Sequence, residues 1–505
     1  FVGFKAGQGI DGAKLTGNNN VAVGANAGLL LQGTAHSNTL IGANAGDSLT
    51  TSTTNTAVGF EALSTASNFG ENTAIGVRSQ KASSSGHSNT SLGHESFLSL
   101  TGGTLNVAVG HDAGMFLTTA SNSTFVGHNA GKGITGAKLT GTSNTAIGKD
   151  AGLLLQGAAG DNTVVGALSG DAITTGTRTV ALGFKAGSGI TTGDSNVAIG
   201  WQALLTEDAH SNNVAVGASA LQTQNAGAHA YNVAVGFEAG KIITDGANNT
   251  FVGGLAGDGT DDGAKNVAVG TSSLSANCGD KNTAVGYAAG FATTGADNTV
   301  VGHEAGKGLL GGTGNTLIGS SAGDAITTGD SNVQLGYLTA ASAVDVDAEI
   351  VIGPGVTGSG GSTVTIGSGA GKISNTFTSN ATWAQSSDSR LKTNIQADTL
   401  GLSFINRLNP VTYKWKPSND IDKSLPYYKE VNERDTSITM HGLVAQEVKT
   451  ALDAEGVDTF AGWGEGLDGV QTISREMFVS PLVKAVQELS TKLDAALARI
   501  ATLEG

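Results

Sequence analysis

Residue types that can do covalent chemistry occur together in one short segment, SSDSRLKTNI at residues 386–395. It contains three serines, Ser386, Ser387 and Ser389, and one lysine, Lys392. A serine hydroxyl is a weak nucleophile until a neighbouring group takes its proton, and a lysine can take it once burial or nearby cations lower its pKa. The same residue types also suit a surface turn with solvated charges. The segment therefore allows a nucleophile with its base, but residue types alone do not require one.

The overall composition excludes several classes of function. The chain has 77 glycines among 505 residues, 14 % charged residues and 5 % aromatic residues, so it has few large side chains for a wide core and must be disordered or bury small residues in a thin repetitive one. A formal net charge of −15 argues against nucleic-acid partners and anionic lipid surfaces. The single Cys278 excludes a disulfide framework and a thiolate zinc site. We expect no cofactor, no metal and no membrane insertion.

The amino-acid composition of the chain changes near Trp383, and the elements that would position the candidate segment follow this change. Three of the four tryptophans and all but one of the prolines lie at or after Trp383. From Ser387 onward, charged residues and helical periodicity appear together, with the stretches LGLSFINRLNPVTYKWK at 400–416 and ITMHGLVAQEVKTAL at 438–452. We expect a polar connector at 372–386 and a separate domain at 387–505.

The order of these motifs closely resembles the intramolecular chaperone domain of peptidase family S74, which phage tailspikes, endosialidases and tail fibres carry at their C-termini. The resemblance spans about residues 387–505 and rests on SDSRLKTNI, PVTYKWK and HGLVAQEV in that order. It implies that Ser387 is the nucleophile, that Lys392 is its base, and that the chain is cut between Ser386 and Ser387. Such a domain would be a single-turnover, self-cleaving serine peptidase.

The resemblance also suggests roles for neighbouring residues. Asp388 and Arg390 would hold the segment in place as an ion pair or a cap. His441 either assists cleavage or is structural. Gln446 and Glu447 are expected on a helix face that contacts a neighbouring chain.

The last residues of the chain have the spacing of a coiled coil, at about 478–504. Apolar residues step alternately by four and three, which is an a/d seam held for three heptads; they are Leu482, Val486, Leu489, Leu493, Ala496, Ile500 and Leu503. A single buried helix would give similar spacing. We expect a coiled coil, and three strands because the resembling family is trimeric.

The first 371 residues are internal repeats, about 22 copies of one unit. The unit reads Asn-(Val/Thr)-Ala-(Val/Ile)-Gly, and it recurs at a near-constant spacing, as in NVAVGANAG at 20–28 and NVAVGHDAG at 106–114. It resembles the head repeats of trimeric autotransporter adhesins, which form β-roll trimers, and the repeat shafts of phage fibres. We therefore predict a mostly β protein: a β-roll or β-solenoid shaft of ~17-residue coils at 1–371, followed by a small α+β domain.

Within the unit, a three-residue pattern predicts which face of the strand is buried. The residue before each glycine and the one two positions earlier, such as Val23 and Val21, share one face of a strand. Because they are β-branched, we expect this stripe to point inward, with the intervening Ala22 permitting close approach on the opposite face. The glycine should occupy a turn that only glycine tolerates. The asparagine at the start of the unit should form a stacked ladder, or alternatively a ligand-binding array.

Together these patterns favour a homotrimeric phage tail fibre that attaches to the host. The C-terminal domain would bring three chains into register and then cut itself off. We expect the fibre to assemble in the host cytoplasm and to act in the extracellular virion, where it would bind a cell-surface glycan or protein. Because the sequence begins inside a repeat at Phe1, an upstream region would attach it to a baseplate or adaptor. The alternatives are a bacterial trimeric surface adhesin with the same domain, and a tailspike depolymerase acting on host glycans.

Overall fold

The computed structural model describes residues 1–505 except 66, 67, 228, 370, 378–383, 386, 387, 426, 433, 467 and 505. The chain divides into two compact units, Phe1–Ser386 and Ser387–Gly505. The first unit is a β-solenoid and the second a small α+β domain. The predicted fold class, a mostly β protein with a solenoid of short repeated coils, is confirmed.

The first unit is built from very short strands that recur once per coil. Within the described residues, β1 to β20 each have three residues: Val21–Val23, Thr39–Ile41, Thr56–Val58, Thr73–Ile75, Thr90–Leu92, Val107–Val109, Thr124–Val126, Thr145–Ile147, Thr163–Val165, Val180–Leu182, Val197–Ile199, Val214–Val216, Val233–Val235, Thr250–Val252, Val267–Val269, Thr283–Val285, Thr299–Val301, Thr316–Ile318, Val333–Leu335 and Ile350–Ile352.

Each of these strands pairs in parallel with the next one along the chain, so that equivalent residues of successive coils stack. Ala57 lies opposite Ala74, for example, and Ala181 opposite Ala198. The pattern changes at the end of the unit. Strand β21 (Thr363–Ser368) is parallel to β20, but β22 (Gly371–Thr376) and β23 (Ala384–Gln385) continue in antiparallel pairs. The stretch expected as a polar connector thus contains strand residues.

The prediction of the buried face was wrong. The middle residue of each strand, such as Ala22 or Ala108, is fully buried, whereas the flanking β-branched residues face outward. Val21 and Val23 are 47 % and 37 % exposed. The physical reason is the width of the coil. So short a coil encloses little volume, and alanine therefore fits inside next to a second buried alanine, such as Ala27, and a leucine, such as Leu31.

The glycine that closes each coil occupies a turn that excludes side chains, as predicted. Gly110 has a φ of +136°, a region that L-residues rarely adopt. A Cβ built on Gly110 would lie 2.4 Å from the carbonyl oxygen of Gly127 in the next coil. Both the backbone conformation and the close stacking of coils therefore require glycine here.

The asparagines form a buried ladder. In a typical rung, the backbone N–H of Asn106 donates to Oδ1 of Asn89 at 3.0 Å, and Nδ2 of Asn106 donates to the carbonyl oxygen of Ala120 at 2.9 Å. Both asparagines are fully buried. Since the amide groups satisfy backbone groups inside the coil, the ladder has a structural role, as the structural interpretation of the sequence predicted.

The second unit packs two short sheets and three helices around an aromatic core. Its elements are α1 (Leu402–Arg407), β24 (Val411–Tyr413), β25 (Met440–Gly442), α2 (Ala445–Ala454), β26 (Trp463–Glu465), β27 (Gln471–Ile473) and α3 (Val479–Glu504), with 3₁₀ turns at Ser389–Leu391, Ser418–Asp420 and Arg475–Phe478. Strands β24 and β25 pair antiparallel, as do β26 and β27. Phe404, Phe460 and Phe478 meet in the core, with ring centroids 5.2 to 6.1 Å apart. Among the helices of the described residues, none has the length and apolarity needed to cross a bilayer.

Candidate cleavage site and assembly surfaces

The predicted scissile bond lies between Ser386 and Ser387, and both residues fall outside the described part of the chain. The described structure resumes at Asp388, which caps a 3₁₀ turn over Ser389–Leu391. The position of the Ser387 hydroxyl therefore stays a prediction.

Asp388 and Arg390 form a local ion pair. Oδ2 of Asp388 lies 2.7 Å from Nη2 of Arg390, and Oδ1 accepts the backbone N–H of Arg390 at 2.9 Å. The hydrogen bonds from the Arg390 side chain, and then from its backbone, lower the pKa of the Asp388 carboxyl. Asp388 thereby acts both as an N-cap and as an ion-pair partner, which holds the residues immediately after the predicted cut in a defined turn.

Lys392 directly follows this turn and is exposed in the single chain. Its backbone N–H donates to the carbonyl oxygen of Ser389 at 3.2 Å, which makes Lys392 the C-cap residue of the turn. Only the turn itself therefore separates Lys392 from Asp388. A lysine base requires burial or nearby cations, and the side chain is not buried in this unit alone.

His441 lies in β25, opposite Thr412 of β24. It lines a cavity of about 310 Å³ together with Ile405, Phe478 and Arg475. The cavity is largely apolar, and the guanidinium of Arg475 approaches the neighbouring Gly442 so closely that a Cβ there would lie 3.1 Å from Nη2. His441 therefore stands at the edge of a pocket beside a fixed positive charge.

Gln446 and Glu447 lie in the first turn of α2 and are exposed. The carboxylate of Glu447 is well placed at a helix N-terminus, where negative charge is favourable. Its Oε2 accepts a hydrogen bond from Nδ2 of Asn409 at 3.2 Å. The two residues thus present polar groups on an open helix face, and their predicted contact with a neighbouring chain stays a prediction.

The predicted trimer seam lies on α3, and in the single chain it is largely exposed. Leu489 and Leu493 are 55 % and 58 % exposed, and Leu503 is 80 % exposed. The side chains at the other seam positions are also exposed: Leu482, Val486, Ala496 and Ile500. A helix buried within its own unit would hide these side chains, so the alternative of a single buried helix does not describe this segment.

Three features of the second unit were not singled out from its sequence. Glu488 on α3 accepts the backbone N–H of Leu402 through Oε2 at 2.9 Å and so caps α1, whose N-cap residue is a glycine. Arg475 forms a wall of the His441 cavity. A second groove, of about 670 Å³, is lined by Trp415 and Arg434, whose guanidinium lies 5.1 Å from the indole ring. These contacts join residues far apart in sequence, and no local spacing of residue types predicts them.

Residues 387–457 match a family described as chaperone of endosialidase, Peptidase_S74. None of the curated proteins and none of the solved structures matches the chain. The match begins at Ser387 and includes Lys392, His441, Gln446 and Glu447. The second unit therefore carries, from its first residue through residue 457, the sequence of an endosialidase-type chaperone domain.

Proposed function

We propose that this protein is a structural fibre, of the phage tail-fibre type, whose C-terminal unit assembles three chains and then removes itself by cleavage before Ser387. The observation that carries the proposal is the junction at residue 387. A solenoid of near-identical coils precedes it, and the match to the chaperone family begins there.

The repetitive shaft creates a need for a chaperone. Successive strands are interchangeable in length and nearly so in sequence, as VAV at Val107–Val109 and VAV at Val267–Val269 illustrate. Two such shafts that associate one coil out of register lose little pairing energy per contact. A non-repetitive unit at one end, which associates in only one way, would set the register before the coils pack.

Two exposed apolar surfaces support association of several copies. On the shaft, aliphatic residues of the strands recur on the outward sheet face, and the most exposed of them, each 37 to 47 % exposed, are Val21, Val23, Ile41, Leu92, Ile147, Val235, Val252, Val285, Ile318 and Leu335. On the second unit, α3 exposes its a/d seam. Large exposed apolar patches mark interaction sites, and a seam with heptad spacing is filled by further copies of the same helix.

Association also offers a reason for cleavage to follow assembly. Lys392 is exposed in the single chain, so the burial that a lysine base needs would come from a neighbouring copy. His441 at the mouth of its cavity and the exposed Gln446 and Glu447 are the surfaces proposed to supply these contacts. Cleavage after assembly would then release the chaperone and leave the shaft kinetically trapped.

The remaining assignments follow from the fibre role. We propose an extracellular place in the virion after assembly in the host cytoplasm, a cell-surface glycan or protein as receptor, and attachment to a baseplate or adaptor. A bacterial surface adhesin and a glycan depolymerase are the competing functions. Incubation of the protein with capsular glycans distinguishes a depolymerase from a fibre, because a depolymerase shortens the glycan chains and a fibre leaves their length unchanged.

The assembly claim is tested by the molar mass of the Ser387→Ala chain in solution, measured by light scattering after size exclusion. We expect three times the chain mass of 50.1 kDa. The double variant Leu489→Glu with Leu493→Glu places charge in the seam and should give single chains. The matched control, Thr491→Glu with Ala498→Glu, adds the same charge on the opposite helix face and should stay trimeric. A parent protein that runs as a single chain, or a seam variant that stays trimeric, contradicts the assembly proposal.

A further inference from the structure

Three histidines stack on consecutive coils of the shaft. His94, His111 and His128 each follow a coil-closing glycine, so the parallel register places them in one column on the outer surface. The ring centroids of His94 and His111 are 4.8 Å apart, and those of His111 and His128 are 5.4 Å apart. The column therefore presents several imidazole nitrogens within a short distance.

A buried carboxylate lies beside the first two rings. Asp112 is 7 % exposed, and its backbone N–H donates to the carbonyl oxygen of His94 at 3.0 Å. One carboxylate oxygen, Oδ2, lies 2.8 Å from Nζ of Lys132. The other, Oδ1, lies 3.0 Å from Nδ1 of His111, yet it accepts no hydrogen bond. Nδ1 of His94 is also buried without a hydrogen-bond partner in the described structure.

Unpartnered buried polar atoms cost free energy unless something binds them. In this cluster, Nδ1 of His94 and Oδ1 of Asp112 both lack a hydrogen-bond partner. Ligand atoms of His94, His111 and Asp112 all lie within 4.8 Å of one another. A tetrahedral ion with bonds of about 2.0–2.1 Å needs ligand atoms about 3.4 Å apart, a change that small side-chain rotations of the two histidines supply.

We propose that His94, His111 and Asp112 form a binding site for a divalent transition metal such as Zn²⁺ or Co²⁺. Two imidazoles and one carboxylate suit these borderline ions, whereas Ca²⁺ and Mg²⁺ prefer oxygen ligands alone. The site links two successive coils and leaves its remaining coordination positions to water. It is independent of the cleavage site and of the proposed fibre function.

The shaft contains an internal comparison for this site. Farther along the same column, His303 stacks on Tyr287 with centroids 5.3 Å apart, and it is followed by Glu304, which pairs with Lys307 at 2.7 Å. This cluster also contains a histidine followed by an acid, but its lysine comes from the same coil rather than the next one, and tyrosine stands in the place of His94. It therefore lacks the second imidazole, and we expect it to bind no transition metal.

Lys132 gives the proposal a test of opposite sign. Its ammonium group lies next to Asp112, so it repels a bound cation and competes for the carboxylate. Replacing it by methionine should therefore tighten metal binding several-fold. If the cluster only stabilised the shaft and the metal bound elsewhere on the protein, the replacement of Lys132 would remove an ion pair but would leave the metal affinity of the protein unchanged.

The experiment is a titration of the full-length Ser387→Ala protein with Zn²⁺ by calorimetry and with Co²⁺ by visible absorption. We expect one ion per chain. His94→Ala, His111→Ala and Asp112→Asn should each weaken binding roughly tenfold or more, while His303→Ala should leave it unchanged.

Circular dichroism of each variant confirms that the shaft is folded, and Asn is compatible with the left-handed backbone of Asp112, whose φ is 60°. Absence of binding to the parent protein overturns the proposal. Binding that survives all three ligand substitutions, or that is lost with His303→Ala, overturns it equally.

Discussion

The middle residue of each shaft strand is buried inside the coil, and in β19 this residue is Gln334, which carries a polar amide. It occupies the middle of β19, between Leu317 and Val351 on the neighbouring strands, and it is fully buried. Neither Oε1 nor Nε2 has a hydrogen-bond partner in the described structure. Leucine or alanine at this position would satisfy the coil without a buried amide.

We expect Gln334→Leu to stabilise the shaft locally by roughly 2 kcal/mol, because it removes two buried polar atoms that each cost about 1–3 kcal/mol. Since repeat arrays need not unfold in one step, native-state hydrogen exchange of the amides near Gln334 is the suitable measurement. Slower exchange there, with no change near the distant Ala108, is the predicted result. Faster exchange would show that the glutamine has a partner in solution.

The pH dependence of the shaft can be traced to half-buried aspartates. Burial is the largest influence on Asp171 and raises the pKa of its carboxyl above the usual 3.8, although Ser188 donates to Oδ1 at 2.5 Å. The folded shaft thus binds this proton more tightly than the unfolded chain, and the contribution to stability is present at low pH and is lost as pH rises through the folded-state pKa. Burial raises the pKa of Asp47 and Asp258 in the same way.

We therefore expect Asp171→Asn to raise the thermal midpoint at neutral pH and to flatten its decline between the ordinary carboxyl pKa of 3.8 and the raised pKa. The control Asp161→Asn removes an exposed carboxylate and so corrects for net charge. Melting curves across this pH range make the comparison. Equal effects of the two substitutions at every pH would refute the role of burial.

At the scale of the strand, sequence periodicity was sufficient to predict the length of the repeat and the register of successive coils. It did not predict which face of each strand is buried. The regular recurrence of the closing glycine and the alternation around Ala22 are visible in the sequence, and both appear in the structure. Alternation alone does not say which face is inside. Hydrophobicity favoured the valines as the buried residues, whereas the small volume of the coil selects alanine and leaves the valines exposed in the single chain.

The asparagine ladder yields an element-scale prediction because its chemistry can be varied by degrees. Asn89 donates to Oδ1 of Asn72 and to the carbonyl oxygen of Gly103, and its own Oδ1 accepts the backbone N–H of Asn106. Asn89→Ala leaves several buried groups unpaired and should destabilise the adjoining coils by about 3 kcal/mol.

Asn89→Ser should cost clearly less, because serine occupies the same rung naturally at Ser123, where Oγ accepts the N–H of Asn144 at 3.2 Å. Local hydrogen exchange around Asn89 distinguishes the two variants. Equal losses for alanine and serine would mean that the ladder contributes by shape rather than by hydrogen bonding.

For the whole molecule, the sequence was informative wherever a local pattern repeats or a motif keeps its spacing. The shaft, the helix over Val479–Glu504 and the chaperone motifs beginning at Ser387 belong to this group. Long-range pairings do not, and the cap that Glu488 provides for α1, far away along the chain, is the plainest example. The base chemistry proposed for Lys392 also depends on burial, and this side chain is exposed in the single chain.

The most direct test of the account is the intact mass of freshly expressed wild-type chains under denaturing conditions, compared with Ser387→Ala. Cleavage before Ser387 predicts two fragments, residues 1–386 and 387–505, from the wild type and one uncut chain from the variant. The seam variant Leu489→Glu with Leu493→Glu, which we expect to prevent assembly, should also remain uncut despite an intact Ser387. A wild-type chain that forms stable trimers and is recovered whole, at 50.1 kDa, would contradict the central claim of self-removal.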